Sequence, residues 1–134
     1  MATVTAMATA IKSKLAAASA VTALVGTRIV SLFSRGTVGT YPYLAFGMIS
    51  TTEPGEAGMF SQRWQFTACA GSLGMSSALD VLEAVKSTLH MGSLTATGWT
   101  VYEIRLISTR TAGGGPDSEH CWAHADYYIT VEPA

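Results

Sequence analysis

Apolar residues along this chain recur at helical spacing in two stretches and alternate at strand spacing in several others. From Met75 to Gly92, Ala78, Leu82, Val85 and Leu89 fall on one side of a helix, and Asp80, Glu83, Ser87 and His90 on the other. Ser77 followed three residues later by Asp80 is an N-cap signature, and Gly92 is expected to take the left-handed conformation that closes the helix. An apolar face cannot stay wet, so this helix must lie on something, and the strands on either side of it are the natural floor. A second amphipathic helix is predicted from about Val4 to Ala20, with Met7, Ile11, Leu15 and Ala18 as its stripe and Lys12, Ser13 and Ser19 away from it. Its many alanines favour helix and allow a neighbour to approach closely. Val21 to Val25 adds a short turn that stops at Gly26.

Five segments read as strands. Arg28 to Phe33 is β-branched and apolar. After Tyr41–Pro42–Tyr43, Leu44, Phe46 and Met48 share one face and leave Tyr43, Ala45, Gly47 and Ile49 on the other. Trp64, Phe66, Ala68 and Ala70 alternate with Arg63, Gln65, Thr67 and Cys69. From Trp99 to Thr111, Tyr102, Ile104 and Leu106 oppose Glu103 and Arg105. In the last strand Cys121, Ala123, Ala125, Tyr127, Ile129 and Val131 point inward, while His120, Trp122, His124, Asp126, Tyr128 and Thr130 point outward. Thr51–Gly58 and Ala112–Glu119 carry loop chemistry. The expectation is one α+β domain over residues 1–134: a mainly antiparallel sheet of about four or five strands with two helices packed on one face.

Composition narrows the function. Hydrophobic residues make up 49% of the chain and charged ones 13%, with a net charge of −1. So little charge suggests a surface covered by other protein copies. The basic residues are scattered, unlike the stripe that grips phosphates. No run is long and apolar enough to span a membrane, and the Ala-rich start lacks the order of a signal peptide, so synthesis and use in a cytosol are expected. Cys69 and Cys121 are expected on opposite faces, as free thiols.

The chemical candidates are weak against their structural readings. His120–Cys121–x–x–His124 offers metal-ligand types, but Cys121 points away from the histidines on a strand. His124 with Asp126 has the makings of a base and its orienting carboxylate, yet no nucleophile is marked. Gly113–Gly114–Gly115 lacks the lysine and helix of a phosphate loop. No catalytic residue, metal or cofactor is expected. The outward face formed by Arg63, Gln65, Glu103, Arg105, Trp122, His124, Asp126 and Tyr128 is instead a candidate interface, polar enough to stay wet and aromatic enough to bind.

The succession Val21–Thr22–Ala23–Leu24–Val25–Gly26–Thr27–Arg28–Ile29, Tyr41–Pro42–Tyr43–Leu44, Arg63–Trp64–Gln65–Phe66, Val85 to His90, and Leu94 to Gly98–Trp99 resembles the tail-completion, or tail-terminator, family of long-tailed bacterial viruses. The likeness spans nearly the whole chain. It departs at Gly113 to His120, which is richer in glycine than the family pattern. The resemblance implies a virion structural protein, assembled in the bacterial host cytoplasm. It would form a homo-oligomeric ring, typically hexameric, that caps the tail-tube protein, stops polymerisation and docks to head–tail connector proteins, with DNA passing through the lumen unbound. A head-completion or connector ring, a tail-tube subunit, and more remotely a small metal-assisted enzyme using His124 and Asp126 are the alternatives. Under the leading reading, loops carrying Glu53 and Glu56, and Gly113, Gly114, Gly115, Asp117 and Glu119, are expected to project toward neighbours or the lumen. Acidic Glu53 and Glu56 facing the channel would repel DNA and let it slide. Charge reversal at both is expected to slow DNA ejection, and unchanged infectivity would count against that role.

Overall fold

The computed structural model describes residues 2–31, 41–51, 58–71, 73–113 and 121–133. The elements are α1 (Ala2–Ala17), α2 (Ser19–Val25), β1 (Ile29–Ser31), β2 (Tyr43–Thr51), β3 (Phe60–Gly71), α3 (Met75–Leu89), β4 (Trp99–Gly113) and β5 (Cys121–Pro133). One five-stranded sheet runs in the order β1-β2-β3-β5-β4. All neighbouring pairs are antiparallel except β1 with β2, which is parallel. Hairpin order holds for β2–β3 and β4–β5, whereas α3 carries the chain from β3 past the position of β5 to the far edge.

Three helices form rather than two. At Ala18 the backbone turns extended (φ −86, ψ 113), and the helices on either side diverge by 86°. The bend lets Met7, Ile11 and Leu15 on α1 and Val21 and Val25 on α2 all reach full burial. Gly26, at φ 59, closes α2 and donates its N–H to the Thr22 carbonyl at 2.8 Å.

The ends of α3 differ from the sequence reading. The helix starts at Met75, capped by Gly74 at φ 99 with no side-chain cap, so Ser77 lies inside the first turn. At the other end the positive φ falls on Met91 (58°), not on Gly92. The Met91 N–H is held by the Ile104 carbonyl of β4 at 2.8 Å, so a tertiary bond sets where the helix stops. Gly92 is required for space instead: a Cβ there would sit 2.9 Å from the Thr88 carbonyl oxygen.

The apolar stripe of α3, widened by Val81 and Ala84, packs on β3 and β5. Trp64, Phe46, Phe66 and Tyr127 form an aromatic centre beneath it, with Phe66 and Tyr127 edge to face at 5.3 Å. The buried residues of all three helices join the inward residues of the sheet in one core. Gln62 is buried in that core and accepts from the Trp64 indole N–H at 3.1 Å.

Bulges interrupt the alternation. Ile49 is the extra residue in β2, Ala70 the extra residue near the end of β3, and Tyr102 and Ile107 the extra residues in β4. Tyr102 therefore does not share the buried face of Ile104 and Leu106; it is exposed and its hydroxyl donates to Glu132.

The two ends of α3 generate a paired expectation. Met91→Gly should raise stability by roughly 0.5–1 kcal/mol by removing the left-handed strain. Gly92→Ala should lower it by about 1 kcal/mol or more through the clash with Thr88. Denaturant unfolding of the two variants checks the signs, and the reverse signs would mean that the helix ends at Gly92.

Candidate functional site

The outer face of the sheet is a grid set by the strand register. Reading across β2, β3, β5 and β4, one row is Ala45–Thr67–His124–Arg110 and the next is Gly47–Gln65–Asp126–Ser108. A third is Ser50–Arg63–Tyr128–Arg105, and Glu103 stands beyond it opposite Thr130. Trp122 lies at the other end, beside Cys69. The structure thus brings Arg63, Gln65, Glu103, Arg105, Trp122, His124, Asp126 and Tyr128 onto one face. Gly113 is the last residue of β4, opposite Cys121, rather than part of a loop. Glu53, Glu56, Gly114, Gly115, Asp117 and Glu119 lie outside the described residues, as does His120.

Asp126 is the hub of the grid and is only 1% exposed, so this position is dry where a wet one was expected. A buried carboxylate is tolerated only when paired. Arg63 supplies the pair, donating from Nη2 at 2.6 Å and Nε at 3.1 Å to the same oxygen. Gln65 Nε2 donates to the other oxygen at 3.4 Å, and Arg110 Nη1 stands off at 3.7 Å. The bond to Asp126 and its charge raise the pKa of Arg63, so the guanidinium stays charged. The network locks a long side chain that would otherwise be mobile.

His124 does not pair with Asp126. Its Nδ1 is 2.8 Å from the Thr67 hydroxyl, while the carboxylate is taken by Arg63 and Gln65. The base-and-carboxylate arrangement is therefore not formed. Burial, then the charge of Arg110, lower the His124 pKa against the opposing pull of Asp126. Among the described residues no group of three or more His, Cys, Asp or Glu side chains is placed to hold a metal. Cys69 and Cys121 are free and buried on opposite faces, and burial raises the Cys69 thiol pKa, which makes it a poor nucleophile. Beside it, the bond to Cys69 and burial push the Tyr43 phenol up to about 12.

Arg110 belongs to this grid as much as the residues marked by the sequence, Thr67 among them. Thr67 follows the simple alternation of β3. Arg110 joins the face only because Ile107 is bulged out, which inverts the alternation in the second half of β4. The result is a stiff platform carrying guanidinium, imidazole, phenol and indole groups, with Trp122 40% exposed. Such a platform suits protein recognition.

A family model described as tail completion protein gp17 matches residues 9–131. A chain from the virion of a native gene transfer agent particle superposes with a TM-score of 0.74, covering 93% of this chain and 92% of that one, at 15% sequence identity. At that identity the likeness is one of fold. No curated protein matches.

The His124 environment sets a pH dependence. Its folded pKa lies below the usual 6.5, so the unfolded chain takes the proton first as pH falls. Its contribution is full above 6.5 and is lost as pH drops through the folded value. Wild-type protein should lose stability as pH falls below 6.5, and His124→Asn should lose less. Equal slopes in pH-dependent denaturation would remove His124 from the account.

Proposed function

The chain belongs to the family of tail completion protein gp17, and on that footing we propose that it is a virion structural protein whose ring caps the tail tube. The ring ends tube polymerisation and presents a docking surface to the head connector. The observation that carries this reading, beside family membership, is the outer sheet face: broad, rigid and mixed in charge, with aromatic groups at its margin and a carboxylate committed to fixing one of its arginines. Interfaces favour Arg, Tyr and Trp held in place before binding, because less side-chain freedom is then lost on contact. The low charge content fits a chain that covers much of itself with neighbours.

In this reading Arg63, Gln65, Glu103, Arg105, Trp122, His124, Asp126 and Tyr128 form a protein-binding surface of the ring. The partners of the chain are further copies of itself, the tail-tube protein and the connector, while DNA passes through the lumen without specific binding. Assembly takes place in the host cytoplasm, and the finished protein sits at the neck of the virion.

Arg105 and Trp122 are both exposed, and cooperative thermal unfolding of the variant checks that the fold survives their replacement. The double variant Arg105→Glu, Trp122→Ser should fail to complement a deletion, leaving overlong tails beside unattached heads in negative-stain images. Normal particles from the variant would sink the assignment of this face, and normal particles from the deletion strain would sink the capping role.

A further inference from the structure

The helix layer leaves part of the sheet uncovered. α1 packs against β1 and α3, and α3 lies across β3 and β5. At the C-terminal turn of α3, the Met91 N–H bonds the Ile104 carbonyl and His90 Nδ1 accepts from the Leu106 N–H at 3.0 Å. Beyond Leu106 the inward positions Thr109 and Thr111, opposite Ala125 and Ala123, are exposed. An open cleft of about 300 Å³ lies there between α3 and β4, lined among others by Leu79, Leu82, Glu83, Lys86, Leu106 and Tyr127.

Two properties of the cleft ask for an occupant. The Tyr127 hydroxyl is fully buried at its wall and has no hydrogen-bond partner among the described residues. Leaving such a donor unmatched costs stability. Among the described residues β4 is also a sheet edge, paired on one side only, and Ile107 of β4 and Leu79 of α3 are both exposed. Edge strands of this length are ordinarily covered.

Charge distribution indicates what covers it. The first 52 residues contain Lys12, Lys14, Arg28 and Arg35 and no acid; all 9 Asp and Glu residues come later in the chain. The α1–α2 side, next to β1, exposes Lys12 and carries no acid, whereas the exposed side of α3 carries Asp80 and Glu83 against the single base Lys86. These two surfaces belong to opposite ends of the sheet, β1 and β4. A head-to-tail ring brings opposite ends of successive subunits together.

We propose that the cleft between α3 and β4 receives the α1–α2 flank of a second copy of this chain. Exposed Ala16, Ala17 and Ala20 allow that flank to come close, Leu24 enters the apolar floor, and Lys12 meets Glu83. The helix layer of one subunit then roofs the open strand of the next. The proposal rests on the ring reading above and names the contact that closes it.

The test measures subunit association by mass photometry. Glu83→Lys and Lys12→Glu, both at exposed positions, should each weaken association about tenfold or more, and combining them should restore it to within about threefold of wild type. Wild-type-like assembly of both single charge variants, absence of rescue in the double variant, or a wild-type chain that stays monomeric would overturn the contact. So would hydrogen-exchange protection of residues 106–111 that appears only when tail-tube protein is added. Rings unaltered by these changes that still cap tubes remove this contact and leave the capping role. Rings held by this contact that fail to join tails to heads do the reverse.

Discussion

Burial of the apolar stripe of α3 against the aromatic centre of β3 and β5 is the constraint on which the rest of the molecule depends. Each large side chain taken from water in that layer contributes about 1.5–3 kcal/mol, and Leu82, Val85, Leu89, Trp64, Phe66 and Tyr127 all sit within it. The same helix is also the connection from β3 to β4. Lying across the sheet, it delivers β4 beyond the neighbouring position and leaves a gap one strand wide, which β5 fills on the return. β5 is thereby bonded on both sides and becomes an interior strand. Its outward residues, Trp122, His124, Asp126 and Tyr128, are carried to the middle of the opposite face. The hub of the outer grid stands where it does because of a helix on the other side of the sheet.

Much of this was legible along the chain because burial on one face leaves a period of two. The inward series Trp64 to Ala68 and Cys121 to Val131 are both regular, and the structure buries every member of each. The apolar stripes of α1 and α3 were readable for the same reason at helical period. What could not be read has local causes that no residue type announces. The bulges at Tyr102 and Ile107 contain neither glycine nor proline, yet each inverts the facing of the residues after it, and the second moves Arg110 onto the outer face. The stop of α3 depends on a bond from Met91 to Ile104, a contact between segments 13 residues apart, so the helix-ending glycine rule pointed one residue too far. The break at Ala18 is likewise tertiary: an alanine favours helix, and only the burial of Val21 and Val25 makes the bend worthwhile.

The site was half legible for a related reason. Side-chain type placed Arg63, His124 and Asp126 on one face, but type says nothing about which partner each will take. Sequence proximity suggested His124 with Asp126; the register instead set Thr67 beside His124 and left the carboxylate to Arg63, one step along the neighbouring strand. Buried ion pairs contribute little net stability once desolvation is counted. What this one does is fix geometry, holding a guanidinium in a single orientation on an otherwise flat surface.

The two faces of the sheet therefore differ in kind, and the difference bears on how a ring would be built. The outer face is covered by polar groups already bonded to one another, so a partner meets it without rearranging it, and contacts there are specific and readily reversed. The inner face is apolar and incompletely roofed at β4, so contact there removes oily surface from water. A permanent subunit contact is best made of the second material, and a docking surface that must find a different protein late in assembly is best made of the first. If successive copies close the ring through the edges of the sheet, the broad outer face is left free of intersubunit duty. It can then meet the partners that arrive after the ring has formed, which is the division of labour a terminator of a growing tube requires.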